Sequence, residues 1–368
     1  MKVFMYVQHL LGIGHLKRAA TLARAMRSAG FELTLASGGA PVAGIEVHQL
    51  PPASSPDFKQ LLDEHGKPVD DAWKERRTAA LINAWRRSHA DALIVELFPF
   101  GRRQMRFELI PLLEEAKARL VVCSVRDILQ PNPAREEEAL ERFERYFDRL
   151  LVHGDPRVVP FERSFTNTNR IAERLFYTGY VVDELPTGGN AGSGEVLVSC
   201  GGGATGRNLL ETAIAARPLT RLHDRPWRLL AGVNASVART RDGVIVERSR
   251  DDFSLRLRNC LVSVSQAGYN TVMETLQAGA RAVLVPFAAG TEEEQTIRAQ
   301  LLAERGLVHV VEESALTPAT LAAAIDRAVL APRPAPHAIA QSIAQSIAQS
   351  IDLGGARCTA ELMREWLK

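Results

Sequence analysis

The order strand, glycine-rich loop, helix, strand occurs twice in this chain, and it limits the possible folds more than any other feature. At the first occurrence, the run VFMYV at 3–7 precedes the loop HLLGIGH, and residues 17–29 carry apolar side chains at helical spacing before the strand FELTLAS. The second occurrence reads EVLVSC, GGGATG, NLLETAIAAR and WRLLAG between residues 195 and 232. Strands that alternate with helices form parallel sheets with right-handed crossovers. The pattern therefore predicts two doubly wound α/β domains.

The segment PTGGNAGSG at 186–194 is the stretch richest in Pro, Gly and Ser, which favours a linker. We expect an N-terminal domain at 1–186, a hinge at 187–194 and a C-terminal domain at 195–335. A C-terminal helical segment at 336–368 follows, because the repeated unit IAQS places Ile339, Ile343, Ile347 and Ile351 on one stripe of a helix.

Charge and cysteine content exclude several classes of protein. Forty-five Lys and Arg stand against 43 Asp and Glu, so the chain lacks the basic excess of a nucleic-acid binder. Its four cysteines form no CxxC pair, which favours reduced thiols and no zinc site. Neither a signal-peptide pattern nor an apolar run of ~18–20 residues is present. We expect a cytoplasmic protein, with peripheral contact at the inner face of the membrane left open.

Residues 261–300 carry the most informative motif. A buried strand ends at Ser265, a glycine turn follows, and a helix is predicted to begin near Asn270 and Thr271. Backbone N–H groups at a helix start, aided by the helix dipole, bind anions such as a diphosphate. Glu274 follows one turn later, at a distance suited to a ribose. The candidate donor-site residues of this motif are Ser265, Gly268, Asn270, Thr271, Glu274, Glu294 and Gln295.

The S-x-x-G…T-x-x-E turn and helix, the VPF strand end and the E-Q-x-x-R-A helix start resemble the C-terminal signature of MurG-type GT-B glycosyltransferases. These are N-acetylglucosaminyltransferases that make the lipid-linked peptidoglycan unit. The resemblance implies a GT-B fold, two Rossmann-like doubly wound domains facing each other across a cleft, and an inverting reaction with a UDP-sugar donor. It also implies that Glu274 binds the ribose, that Glu294 and Gln295 face the donor sugar, and that Arg248 lies beside the base.

Two glycine-rich loops extend this resemblance. The loop CGGGATG resembles the family's second loop, and Gly201, Gly202 and Gly203 would let backbone amides approach the diphosphate, because a Cβ would block that approach. The loop GIGHLKRA resembles the first loop, with one glycine fewer. There His15 is a candidate general base, since an imidazole titrates near neutral pH. The alternative is a structural histidine that caps the turn.

Two further strand ends in the first domain carry charge. The strand ALIVE ends in Glu96, and open α/β sheets bind ligands at the carboxyl ends of their strands. We interpret Glu96 as an acceptor-site carboxylate and a reserve base. The segment VCSVRDI ends similarly in Arg126 and Asp127, for which a salt-bridged pair of loop residues is the alternative. The candidate acceptor-site residues are Gly14, Arg18, Phe98, Arg102, Arg103, Arg126 and Asp127.

A basic and aromatic stretch lies in the first domain, including Trp73, Arg77 and Trp85. It suits a phosphate-bearing lipid acceptor or an anionic membrane surface, whereas the alternative is a solvated helix face whose Trp side chains pack inward. No D-x-D motif occurs, so we expect a diphosphate leaving group to be stabilised without a metal and without a cofactor.

The sequence thus predicts a hexosyltransferase that moves a sugar from a UDP-sugar to a glycan or lipid-linked acceptor, with no nucleic acid as partner. A nucleotide-sugar hydrolase of the pseudaminic acid pathway is one alternative, because GIGHLKRA also resembles the G-x-G-H-x-x-R loop of that enzyme. A non-hydrolysing sugar-nucleotide epimerase and a catalytically silent sugar-nucleotide-binding protein are the others.

Overall fold

The computed structural model describes residues 1–10, 12–56, 59–117, 119–130, 132–200, 206–232, 243–248, 250–287, 293–334 and 351–368. The chain divides into two compact units. One contains Met1–Val181 and Gly354–Lys368, and the other contains Val182–Leu353. The chain therefore passes from one unit to the other twice.

The first unit contains a parallel sheet of seven strands in the order β3-β2-β1-β4-β5-β6-β7. The strands are β1 (Lys2–Val7), β2 (Glu32–Ser37), β3 (His48–Gln49), β4 (Ala92–Glu96), β5 (Leu120–Arg126), β6 (Arg149–His153) and β7 (Leu175–Tyr177). The helices that precede the second unit are α1 (Gly14–Ser28), α2 (Asp71–Ser88), α3 (Arg106–Ala116) and α4 (Pro133–Tyr146). The strand order reverses between β1 and β4, which is where open α/β sheets bind ligands.

The second unit repeats this architecture with six parallel strands in the order β10-β9-β8-β11-β12-β13. The strands are β8 (Val196–Ser199), β9 (Trp227–Leu230), β10 (Val244–Glu247), β11 (Val262–Ser265), β12 (Ala282–Leu284) and β13 (His309–Val310). The helices are α5 (Arg207–Ala216), α6 (Phe253–Asn259), α7 (Tyr269–Gln277), α8 (Glu294–Glu304) and α9 (Pro318–Leu330). The prediction of two doubly wound parallel sheets is confirmed.

The glycine-rich segment 187–194 lies within the second unit, where it packs on α6. The side-chain amide of Asn259 donates to the carbonyls of Gly189 at 3.2 Å and Ala191 at 3.0 Å. Gly192 has φ +87°, and a Cβ there would lie 2.7 Å from the Cα of Arg256. These glycines therefore permit a close approach to a helix. The first passage between the units falls at Val181–Val182, before the predicted hinge.

The last helix, α10 (Gly355–Trp366), belongs to the first unit. Ala360 and Met363 join the apolar cluster formed by the buried face of α1 and one face of the sheet. The ring of Trp366 packs edge-on against Phe176, with 5.0 Å between centroids. This helix lies in the predicted segment 336–368, but the IAQS repeat itself falls largely at 335–350, outside the described residues.

The aromatic residues of the basic stretch on α2 pack inward. Trp73 and Trp85 are buried, and the Phe4 ring meets Trp85 edge-on at 5.7 Å. Arg77 is fully buried as well, so the stretch does not form one continuous surface. The inward-packing alternative is therefore correct for the two Trp side chains. Among the described residues, no helix is long and apolar enough to cross a membrane.

A fully buried ion pair explains why Arg77 lies inside. Its Nε donates to Glu108 Oε2 at 2.7 Å and its Nη2 to Glu108 Oε1 at 2.8 Å. The same guanidinium donates to Gln8 Oε1 and to the carbonyls of Gly38 and Pro51. The Tyr6 hydroxyl donates to Glu108 Oε1 at 2.5 Å. This network ties α2 and α3 to the carboxyl end of β1 and to the loop after β2.

Candidate active site

His15 and Glu96 meet at the point where the strand order of the first unit reverses. Helix α1 begins at Gly14, earlier than the pattern predicted, so His15 lies in its first turn and Arg18 lies one turn later. Glu96 is the last residue of β4, the neighbour of β1. The Nδ1 of His15 lies 2.7 Å from Oε1 of Glu96, and Arg18 Nη2 donates to the same oxygen at 2.5 Å.

Burial and charge fix the protonation of this pair. Burial by itself raises the pKa of Glu96, but the hydrogen bond and charge of His15 and the charges of Arg18 and Arg102 outweigh it and lower the pKa to about 2. Burial lowers the pKa of His15 to about 4, although the Glu96 carboxylate opposes this change. Near neutral pH, Glu96 is therefore a carboxylate and His15 a neutral imidazole.

A neutral His15 beside a carboxylate has one defined tautomer. A carboxylate can only accept, so Nδ1 carries the hydrogen and Nε2 keeps its lone pair. The His15 side chain is 17% exposed and that of Glu96 only 1%. A base oriented by a third group is the arrangement that activates hydroxyl nucleophiles. The geometry places the Glu96 carboxylate against His15 as a hydrogen-bond partner, and its predicted role as an acceptor-site carboxylate and reserve base stays a prediction.

The other acceptor candidates divide into three groups. Arg102 is half-buried beside the pair, and its Nε donates to the Gln8 carbonyl at 2.7 Å. Arg126 is half-buried at the end of β5, and Asp127 next to it is fully buried and accepts from the N–H of Ile128. Two candidates lie elsewhere. Phe98 is buried in the core, whereas Arg103 is exposed and pairs with Glu138 at 3.1 Å.

Sequence reasoning missed a buried polar chain beside Glu96. Ser124, the β5 partner of Glu96, lies 2.8 Å from His153 Nε2, and His153 Nδ1 lies 2.9 Å from the Thr178 hydroxyl. Burial, aided by the charge of Arg18, lowers the pKa of His153 to about 3. His153 is therefore neutral near pH 7. The position of His153 at a strand end was the only sequence signal for it.

The strand order of the second unit reverses between β8 and β11, where Ser199 and Ser265 are register partners. Both are buried, and neither hydroxyl has a hydrogen-bond partner within the described residues. Helix α7 begins just beyond, with Gly268 as its N-cap and no side-chain cap. A Cβ on Gly268 would meet no atom within 4 Å, so the space at this helix start is open. Asn270, Thr271 and Glu274 are half-buried in the first turns of α7.

Two candidates on α8 have protein partners. Glu294 pairs with Arg298 at 2.7 Å, and Gln295 Oε1 accepts from the N–H of Phe287 at 3.1 Å. Arg298 is fully buried, donates to the Ala267 carbonyl and lies over the ring of Tyr269, 5.5 Å from its centroid. It therefore connects the start of α8 to the turn before α7, a role that no sequence argument assigned to it.

The remaining donor candidates are either exposed or outside the described residues. Arg248 is exposed at the end of β10. Gly201, Gly202 and Gly203 lie outside the described residues. Within the part of the chain that the structure describes, no group of three or more His, Cys, Asp or Glu side chains could hold a metal ion.

Comparison with known proteins gives one family match and several curated relatives. Residues 233–351 match the model of the glycosyltransferase family 28 C-terminal domain. The chain is 31% identical over 163 residues to the UDP-N-acetylglucosamine--N-acetylmuramyl-(pentapeptide) pyrophosphoryl-undecaprenol N-acetylglucosamine transferase of Thiobacillus denitrificans, which covers 41% of this chain and 44% of that protein. It is 40% identical over 81 residues to the protein of the same name from Methylibium petroleiphilum, covering 22% of each. The chain thus matches less than half the length of these relatives.

Solved structures match over nearly the whole chain. The glycotransferase of kitacinnamycin has a TM-score of 0.67 and 16% identity, covering 100% of this chain and 99% of that one. Acinetobacter baumannii MurG has a TM-score of 0.58 and 14% identity, covering 99% of each. These likenesses confirm the GT-B fold. The family match and the curated relatives confirm the resemblance to MurG-type proteins.

Proposed function

We propose that this chain is a hexosyltransferase that moves a sugar from a UDP-sugar to an acceptor hydroxyl, with inversion and without a metal ion. The observation that carries the proposal is the pairing of His15 with Glu96 at the reversal point of the first unit. A buried carboxylate that orients a neutral imidazole is suited to remove a proton from a hydroxyl group. The family match of residues 233–351 supports transfer from a nucleotide sugar.

In the proposed reaction, Nε2 of His15 accepts the proton of the acceptor hydroxyl. The oxygen of that hydroxyl attacks the anomeric carbon of the donor sugar at the same time. The bond from that carbon to the diphosphate oxygen breaks on the opposite face, and UDP leaves with the bonding electrons. A single displacement inverts the anomeric centre. Glu96 stabilises the imidazolium that forms on His15, as a carboxylate does in other oriented bases.

The start of α7 supports the proposed diphosphate site. Its N-cap residue is Gly268, which has no side chain, and the helix dipole favours an anion at this end. The hydroxyls of Ser199 and Ser265, buried at the adjacent strand ends, supply further donors. Such preorganised donors stabilise the negative charge that develops on a leaving diphosphate. The named activity of the curated relatives, which use UDP-N-acetylglucosamine, supports UDP as the nucleotide.

Turnover of a UDP-sugar panel with and without acceptors tests the proposal. We expect UDP release to depend on an acceptor, and NMR of the product to show the inverted anomeric configuration. Release of UDP at the same rate without an acceptor would instead support the hydrolase, which the comparisons do not favour. Absence of UDP-sugar turnover with any acceptor, together with tight binding, would support a silent binding protein.

Glu274→Ala is expected to weaken UDP binding about 10- to 100-fold, because the ribose hydroxyls lose a charged acceptor worth ~1.5–3 kcal/mol. Calorimetric titration with UDP measures this change. Glu304→Ala, on the exposed end of α8, is the matched control and should bind UDP normally. Equal UDP affinity in the wild type and Glu274→Ala would contradict the ribose assignment.

Transfer is expected to continue in excess EDTA. The sequence has no D-x-D motif, and the proposed leaving-group site consists of helix N–H groups and hydroxyls. Initial rates measured after dialysis against chelator provide the test. If the rate falls to background and Mg²⁺ or Mn²⁺ restores it, metal-independent catalysis is wrong.

A glycan or lipid-linked acceptor at the inner face of the membrane is part of this proposal. Since Trp73 and Trp85 are buried, we attribute any attraction to an anionic surface to the exposed Arg76, Arg86 and Arg87 of α2. Such an attraction is electrostatic and weakens with salt.

A further inference from the structure

A polar recess lies at the amino end of β6, on the opposite edge of the sheet from the strand ends where His15 and Glu96 meet. Its volume is about 250 Å³. Sites for drug-sized ligands occupy ~300–1,000 Å³, so this recess suits a smaller group. Positive side chains outnumber negative ones in its lining, which includes Lys117, Arg145, Arg149 and Arg174 against Glu144 and Asp148.

The two carboxylates of the recess already accept hydrogen bonds from elsewhere. Both oxygens of Glu144 accept from Nη2 of Arg170, at 3.0 and 2.9 Å. Oδ2 of Asp148 accepts from the N–H of Val121 at 2.8 Å. The negative charge at the recess is therefore partly compensated by groups outside it.

Arg149 and Arg174 form no ion pair with any residue that the structure describes. Arg149 Nη1 donates to the Asp148 carbonyl at 2.9 Å, and Arg174 Nη1 donates to the Phe147 carbonyl at 3.3 Å. Because these carbonyls belong to consecutive residues, the two guanidinium groups are anchored beside each other. Nε of Arg149 is buried and has no partner within the described residues. A guanidinium has five N–H donors, so most of those on the two side chains are left for a ligand.

Two aromatic rings hold the guanidinium of Arg149. Its central carbon lies 5.7 Å from the ring centroid of Trp366 on α10 and 5.9 Å from that of Phe176 on β7. A guanidinium is attracted to aromatic faces and stacks on them. Arg149 is thus positioned before any ligand arrives, which reduces the entropy lost on binding.

We propose that Arg149 and Arg174 bind a phosphate group in this recess, either that of a soluble phosphate ester or that of a lipid headgroup. Guanidinium groups match the oxygens of a phosphate through paired N–H donors, and such charge-assisted hydrogen bonds are the strong ones. The bound phosphate would compensate the charge of the two arginines. This site does not depend on the proposed transfer reaction, because none of the residues placed in that reaction lines it.

Calorimetric titration with inorganic phosphate, in a chloride buffer at constant ionic strength, tests the site in the full-length protein. We expect saturable binding that is weakened at least about 10-fold in Arg149→Gln and in Arg174→Gln. Arg174 is exposed, so its variant should fold normally. Arg119→Gln, at an exposed position before β5 and outside the recess, removes the same charge and should bind as the wild type. No saturable binding in the wild type, or wild-type affinity in Arg174→Gln, would overturn the proposal.

Tryptophan emission locates the bound phosphate, since Trp366 lies against Arg149. We expect the emission to change during the titration, and Trp366→Phe should lose this change while binding phosphate within a few-fold of the wild type. A change that persists in Trp366→Phe would place the phosphate elsewhere and overturn the site.

Vesicles of phosphatidylcholine with and without phosphatidic acid distinguish the two sources of phosphate. Sedimentation with the phosphatidic acid vesicles that is lost in Arg174→Gln and kept in Arg119→Gln would identify a lipid headgroup. Saturable binding of glycerol 3-phosphate with no sedimentation would identify a soluble phosphate ester. Binding of neither glycerol 3-phosphate nor phosphatidic acid vesicles would contradict the proposal.

Discussion

His15→Ala is expected to lower kcat by about 10²–10⁴-fold, the range that a general base contributes. UDP affinity should be retained, because every residue proposed to bind UDP lies in the other unit. Steady-state kinetics with a saturating acceptor and calorimetry with UDP measure the two effects separately. His65→Ala, at an exposed loop histidine, is the control. A wild-type kcat in His15→Ala would remove His15 from the reaction.

The pH dependence provides an independent check of the same assignment. Because the pKa of His15 is lowered to about 4, the imidazole is neutral and active above that pH. We expect kcat/KM to fall as pH decreases through about 4, and not near ~6.5 where an unperturbed histidine titrates. Glu96→Gln should lower kcat strongly and shift this acid limb to lower pH, because the Glu96 carboxylate raises the pKa of His15. An effect of Glu96→Gln on the acceptor KM alone would contradict the orienting role.

Arg77→Met is expected to destabilise the first unit by about 3–5 kcal/mol, because it leaves the Glu108 carboxylate buried without its ion-pair partner. Both side chains are completely inaccessible to solvent. Chemical denaturation followed by tryptophan fluorescence measures the free energy of unfolding, since Trp73 and Trp85 lie in the same unit.

The control for this prediction is Arg86→Met on the same helix. Arg86 pairs with Glu115 at the surface, and exposed ion pairs contribute only ~0–1 kcal/mol. The double variant Arg77→Met/Glu108→Leu removes both charges, so it should be more stable than Arg77→Met alone. A double variant as unstable as the single one would mean that the other hydrogen bonds of Arg77 dominate.

Local patterns were sufficient to predict the two doubly wound sheets, the glycine-rich loop that leads to His15 and the strand end that carries Glu96. Their hydrogen bond was not predicted, because the two residues are 81 positions apart and meet only when β1 pairs with β4. Arg77 shows the same limit. It stands in the basic run KERR, which reads as a solvated surface, and its partner Glu108 is 31 residues away.

Composition alone does not decide between two uses of the same residue type. The glycines at 188–194 indicated a hinge, whereas the structure uses Gly192 to bring the backbone against Arg256. The Trp side chains of α2 could not be assigned to surface or core from their spacing, because a basic amphipathic helix and a half-buried helix share the same pattern. Only the tertiary contact of Trp85 with Phe4 decides between them.

The position of α10 has a consequence for how the chain folds during synthesis. The first unit is made first, yet the helix that covers α1 and contributes Met363 and Trp366 to its core is translated after the whole second unit. The first unit therefore emerges from the ribosome with an apolar face still uncovered. The second unit is able to fold before the first is complete. A nascent chain that ends at Val181 should consequently be more sensitive to protease than the same residues in the finished protein.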